Sequence, residues 1–104
     1  MLRVLCAGHD PLLLKTRGLM LQRAGFHTDI AIGVRAAAAA FTGRHFGVVV
    51  LCHTFTEQER RFLQAQLRKR APWAHVLVLD HPERALSYSP PDFIRLVRSQ
   101  ARCA

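Results

Sequence analysis

Apolar and polar positions along the chain fall into blocks whose period keeps switching. Leu2 to Ala7 is a short apolar run, the pattern of a strand buried on both faces. Asp10-Pro11 then marks a helix start, since Asp caps free backbone amides and Pro suits the first helical position. Leu13, Leu14, Arg17, Gly18 and Leu21 recur at helical spacing as far as Ala24, and Gly25 is placed to stop the helix. Phe26 to Ile32 reads as a second strand, with Ile30 and Ile32 alternating around Ala31. The alanine run from Val34 to Phe41 has the highest helix propensity available, and Gly43 closes it. Its small side chains let that helix lie close against a sheet.

The second half repeats the pattern. Phe46 to Leu51 holds three consecutive valines and no polar side chain, the composition of a central parallel strand. Thr56-Glu57-Gln58-Glu59 fits a capping box, in which Thr56 and Glu59 satisfy each other's backbone amides. Phe62, Leu63 and Leu67 form the apolar stripe of the helix that follows, and Arg60, Arg61, Arg68, Lys69 and Arg70 cover the rest. Ala71-Pro72 ends it, and Trp73 to Leu79 reads as a fourth strand. A final helix starts near Pro90 or Pro91, with Ser89 as its cap. Phe93, Ile94, Val97 and Ala101 share one side of it, and Arg95, Arg98 and Arg102 another. Strands alternating with helices predict a parallel sheet covered on both faces.

The 104 residues, half of them hydrophobic, suit a single domain spanning 1–104. A chain of this size buries roughly two-thirds of its unfolded surface and folds without staples. No apolar stretch approaches the roughly 20 residues needed to cross a bilayer. The opening Met1 to Gly8 is too short and too soon interrupted for a signal peptide. Three cysteines without paired spacing make no disulfide framework, which places the protein in a reducing cytoplasm. The formal charge of +8 favours an acidic partner: nucleic acid, an acidic protein face or a membrane surface. It is equally the charge of a soluble domain from an arginine-rich proteome.

The strand, then Asp10-Pro11, then a leucine-rich helix ending in Ala24-Gly25-Phe26, resembles the opening of response-regulator receiver domains. The Val48-Val49-Val50-Leu51 strand, the arginine-rich helix after it and Ala71-Pro72 before Val76-Leu77-Val78-Leu79 extend the likeness to about residues 2–80. The resemblance implies a flavodoxin-like three-layer α/β/α sandwich with strand order 2-1-3-4 and the fifth strand reduced or absent. About nine residues separate Asp80 from Pro90, too few for a crossover helix plus a strand. His81 to Tyr88 is therefore expected as a loop or one irregular extended piece.

The resemblance also shows what is missing. Receivers carry an acidic pair after the first strand that holds Mg²⁺; the matching positions are Gly8 and His9, with Asp10 beside them. The phospho-acceptor position is Cys52, followed by His53. The Thr or Ser after the fourth strand falls on Asp80, and the Lys-Pro after the fifth has only Ser89-Pro90 near it. A thiol is a poor stand-in for a carboxylate, and it is soft where Mg²⁺ requires hard oxygen. The fold carries over, and no catalytic residue does.

Gly8, His9, Asp10, Cys52, His53 and Asp80 are thus expected to form a degenerate phosphorylation pocket at the carboxyl ends of the strands. The same residues admit sharper chemistry. His9, Cys52 and His53, with Asp80 or His81, are of transition-metal-ligand type, although their spacing matches no zinc motif. Cys52 could act as a nucleophile with His9 as the nearer base, but no oxyanion motif or third group accompanies them. Cys6 reads as core packing and Cys103 as an incidental tail thiol. The Arg95, Arg98, Arg102 stripe and the basic third helix could meet a phosphate backbone, or simply be solvated helix faces. No helix-turn-helix, finger or stacking-aromatic pattern accompanies them. The sequence reads as a non-enzymatic, cofactor-free and metal-free pseudo-receiver that binds a signalling or regulatory protein. The expected contact residues are Trp73, Tyr88, Arg95, Arg98 and Arg102, with a homodimer through residues 73–102 as a further possibility.

Overall fold

A computed structural model of the chain describes residues 3–43, 45–79 and 90–102. In chain order the elements are β1 (Arg3–Gly8), α1 (Pro11–Arg23), β2 (His27–Ile32), α2 (Val34–Gly43), β3 (Val48–Leu51), α3 (Glu57–Arg70), β4 (His75–Val78) and α4 (Pro90–Arg102). The strands form one sheet in the order β2-β1-β3-β4, and every pairing is parallel. Parallel strands need long crossovers, which the intervening helices supply.

The period-two geometry of β1 and β3 divides the interior into two cores. Val4, Cys6, Val48, Val50 and Cys52 face Leu14 and Leu21 of α1 and Phe93 and Val97 of α4. Leu5, Ala7, Val49 and Leu51 face Ala37 and Phe41 of α2 and Leu63 and Leu67 of α3. All four residues of β3 are fully buried. Such a strand draws about 1.5–3 kcal/mol from each large apolar side chain removed from water. This is the expected three-layer sandwich in the expected order.

The local signals explain the element ends. Asp10 Oδ1 accepts from the amides of Leu12 and Leu13 at 3.1 and 3.2 Å, capping α1. The Thr56 amide donates to Glu59 Oε1 at 2.8 Å and the Glu59 amide donates to Thr56 Oγ1 at 3.1 Å, completing the capping box of α3. Gly25 has φ of 97°, a conformation that would strain a side-chain-bearing residue. Gly18 of α1 lies so close to β2 that a Cβ there would meet Ile30 at 3.3 Å.

Three expectations need correction. The fourth strand begins at His75, not Trp73, because residues 71–74 form a turn in which the Ala74 amide donates to the Ala71 carbonyl. Trp73 is therefore a turn residue with 46% of its surface exposed. Phe62 lies off the buried stripe of α3, 48% exposed, because only Leu63 and Leu67 point at the sheet. A strand with no crossover helix after it should lie poorly covered, yet Leu77 and Leu79 are buried in the core that α4 completes. Asp80, His81, Tyr88, Ser89 and Cys103 lie outside the described residues, as does the expected loop from 81 to 88.

Candidate functional site at the carboxyl ends of the strands

The tips of β1 and β3 are where the receiver likeness places phosphoryl chemistry, and the two tips are packed against each other. The Cys52 amide donates to the Ala7 carbonyl at 2.9 Å, prolonging the ladder past the end of β3. A Cβ on Gly8 would lie 2.8 Å from Thr54 Oγ1 and 3.0 Å from Cys52 Cβ. An acidic side chain at that position would have to displace the loop after β3. Gly8 is the residue that lets the loop close over β1.

His9 does not face Cys52. Its amide donates to Thr54 Oγ1 at 2.8 Å, and its ring Nε2 lies 2.9 and 3.1 Å from the two carboxylate oxygens of Glu59. The ring also meets Phe55 edge-on at 4.9 Å between centroids. These contacts tie the end of β1 to the first turn of α3 and correct the expectation that His9 is the base nearest the thiol. The reason is the sheet's pleat: Cys52 points to the α1/α4 side, whereas Phe55 is packed in the α2/α3 core.

The neighbour of Cys52 is Arg17. This residue of α1 is 4% exposed, and its Nη1 donates to Cys52 Sγ at 3.0 Å. Its guanidinium carbon stands 5.6 Å from the centre of the Phe93 ring on α4, within cation–π range. One buried cation thus joins α1, the tip of β3 and α4. The spacing carried a signal for this: Leu14, Arg17, Gly18 and Leu21 are the i, i+3, i+4, i+7 set, and all four are buried. A polar residue on an apolar stripe marks a buried partner.

Burial pushes the Cys52 thiol above its ordinary value, and the Arg17 guanidinium and its hydrogen bond offset part of that rise. Cys52 is wholly inaccessible and its sulfur is held toward the protonated form, the opposite of a reactive thiolate. Cys6 is likewise buried and free, its thiol raised by burial and by Cys52. His53 is half-buried, and its ring is driven toward the neutral form by burial, then by Arg17, with Asp10 opposing. Its Nδ1 is buried with no hydrogen-bond partner among the described residues.

Asp10 is exposed, with one carboxylate oxygen engaged as the α1 cap. Among the described residues no group of three or more His, Cys, Asp and Glu is placed to hold a metal ion. Of the alternative ligand set His9, Cys52 and His53, His9 is turned to Glu59 while Cys52 is held by Arg17.

The expected partner-binding residues lie elsewhere. Arg95 and Arg98 are exposed on α4, and Arg98 Nη2 donates to the Ala24 carbonyl at the end of α1 at 3.5 Å. The side chain of Arg102 lies outside the described residues. Trp73 stands at the opposite end of the strands from Cys52. Its ring stacks on that of His45, with centroids 4.6 Å apart and planes 3° from parallel.

No protein-family model matches the sequence, and no curated protein matches it. Solved structures do. A CheY-like response regulator receiver domain protein from Methanospirillum hungatei superposes with a TM-score of 0.84 at 14% identity, over 98% of this chain and 94% of that one. The chain has the receiver-domain fold. The chemotaxis protein CheY4 of Vibrio cholerae matches with a TM-score of 0.77 at 16% identity, over 95% of this chain and 98% of its own. A CheY-like receiver domain from Methylobacillus flagellatus gives 0.66 at 12% identity, over 96% of this chain and 98% of that one. Identities this low establish architecture, so the receiver-fold chain must be read from its own residues at the acceptor position.

Proposed function

We propose that this receiver-fold chain is a non-enzymatic pseudo-receiver, a protein-interaction module of bacterial signalling or transcription control that docks without a phosphorylation switch. The observation that carries the reading is the burial of Cys52 beneath Arg17. A receiver's acceptor must be an exposed carboxylate next to a bound cation. Here the matching side chain is a solvent-excluded thiol, the neighbouring acid positions are Gly8 and His9, and a guanidinium occupies the space on the α1/α4 side. Among the described residues, the acceptor position supplies a thiol and no carboxylate, and the two acid-pair positions supply no side-chain oxygen for Mg²⁺.

What remains available is surface. Arg95 and Arg98 stand exposed on α4, while Phe93 and Val97 fix that helix to the sheet. Together with the net charge of +8 this favours an acidic face on a partner protein. No helix among the described residues is long and apolar enough to cross a membrane. The reading places the protein in the cytoplasm, with a homodimer through residues 73–102 as a second mode of docking.

The test has two arms. Incubation with acetyl phosphate and Mg²⁺ followed by intact-mass measurement is expected to add no phosphoryl group, and stable phosphorylation overturns the reading. Capture of partners from cytosol of the source organism is expected to return a protein that the Arg95→Glu/Arg98→Glu variant fails to retain. Equal capture by both forms removes α4 as the docking face. Light scattering of both forms reports on the homodimer.

A further inference from the structure

Acidic side chains gather toward one end of the strands, where Arg35, Arg60 and Arg61 also stand at the starts of α2 and α3, and the opposite end is basic. Asp10, Glu57 and Glu59 sit at the starts of α1 and α3, on the rim that carries Cys52. Asp29, on β2, is paired with Arg3 at 3.4 Å. The other rim holds the last turns of the same helices, with Arg23 on α1 and Arg68, Lys69 and Arg70 on α3. Arg98 reaches the same end, where it meets Ala24. Some of this charge complements the helix dipoles, which turn their negative ends to that rim. One cation per helix end meets that need, and α3 alone brings three.

The Trp73–His45 stack stands on this basic rim, just before β4 and β3 begin. A groove of about 540 Å³ lies beside it, lined by Phe41, Thr42, Gly43, His45, Arg70 and Trp73. A second groove, of about 330 Å³, lies on the other side of the 71–74 turn and has Arg68 and Pro72 in its wall. Each groove therefore joins a ring surface or a proline to an arginine. The indole already accepts one flat heteroaromatic ring in parallel register. Nearly half of Trp73 stays exposed, so the stack can be extended.

We propose that this rim binds single-stranded nucleic acid. A base continues the His45–Trp73 stack, and the flanking phosphates meet Arg70 on one side of the turn and Arg68 on the other. The combination of an aromatic platform with a cationic track is what sequence-tolerant single-strand binding requires. An acidic protein would use the charge and leave the ring stack without a role. Duplex DNA would bury its bases away from the platform. The site lies at the opposite end of the strands from the acceptor position and is independent of whether that position is phosphorylated.

The chain has a single tryptophan, so its emission reports on the site directly. Titration of the full chain with a ten-residue oligothymidylate is expected to quench that emission saturably, with an affinity that falls as salt is raised. Labelled oligothymidylate followed by anisotropy then tests the variants. Trp73→Ala is expected to weaken binding by about 5- to 150-fold, in line with the loss of one stacked base. Arg70→Gln, at an exposed position that does not endanger folding, is expected to weaken binding and flatten the salt dependence. Circular dichroism confirms that both variants are folded. Absence of quenching, equal affinity for duplex DNA or polyglutamate, or binding unchanged in both variants overturns the proposal.

Discussion

Placing an aspartate at position 52 is the most incisive perturbation of the acceptor site, because it supplies the missing acid without supplying its surroundings. The Cys52→Asp carboxylate would emerge into a solvent-excluded position with the Arg17 Nη1 within bonding reach, since the present sulfur is 3.0 Å from it. A charge pair about 4 Å apart gains about 4 kcal/mol at an effective dielectric of about 20. Desolvating a carboxylate costs several kcal/mol. The two terms nearly cancel, so the substitution is expected to change stability by no more than about 2 kcal/mol in either direction. In an Arg17→Met background the same carboxylate loses its partner and is expected to cost about 3–5 kcal/mol. Urea unfolding of the wild type, both single variants and the double variant gives the coupling, and the cycle cancels everything else that Arg17 does. A coupling of at least about 1 kcal/mol is expected. Acetyl phosphate with Mg²⁺ is expected to leave Cys52→Asp unmodified, because its oxygen is committed to the guanidinium and Gly8 and His9 provide no metal ligands. A coupling near zero, or ready phosphorylation of this variant, would refute the argument that Arg17 closes the site.

Three smaller expectations follow from the same region. Gly8→Ala brings a methyl to 2.8 Å from Thr54 Oγ1 and 3.0 Å from Cys52 Cβ, and should cost about 1–3 kcal/mol in urea unfolding, where a neutral change would mean the loop yields freely. Thr56→Ala removes half of the capping box and should cost about 1 kcal/mol, lowering the melting temperature by about 4–8 °C in calorimetry. Glu59 is held below its ordinary value of 4.5, chiefly by the Thr56 amide and also by His9. A depressed carboxylate contributes stability above its unfolded pKa and loses it as pH falls through the folded one. The stability gap between wild type and Glu59→Gln should therefore close as pH drops below 4.5, and a gap that persists in acid would count against the pairing.

The strand and helix positions were legible because their signals are local, whereas the sheet order followed from the receiver resemblance. Asp10-Pro11, the Thr56–Glu59 box, Gly25 and the valine run each act within a few residues of themselves, and each stands where the periodicity put it. The acceptor site was legible in position and not in wiring. That Cys52 ends β3 follows from counting; that it meets Arg17 depends on which side of the sheet the pleat turns it. Arg17 announced itself only as a charged residue on an apolar stripe. The His9–Glu59 contact joins residues 50 apart and had no sequence signal at all. Trp73 was misplaced because its apolar side chain extends the β4 pattern backwards, while the backbone at Ala71-Pro72 is still turning.

The helix that completes the Arg17 core follows every strand of the sheet in chain order. β1, β3 and β4 can pair, and α2 and α3 can cover one side of them, while the ribosome still holds α4. Until Phe93 and Val97 emerge, Val48, Val50 and Leu77 have only α1 to shelter them, and Arg17 lacks its aromatic lid. A message ending before codon 90 would thus release a half-roofed sheet prone to clump with its siblings, so a nonsense change anywhere upstream of this helix should yield aggregate rather than folded product.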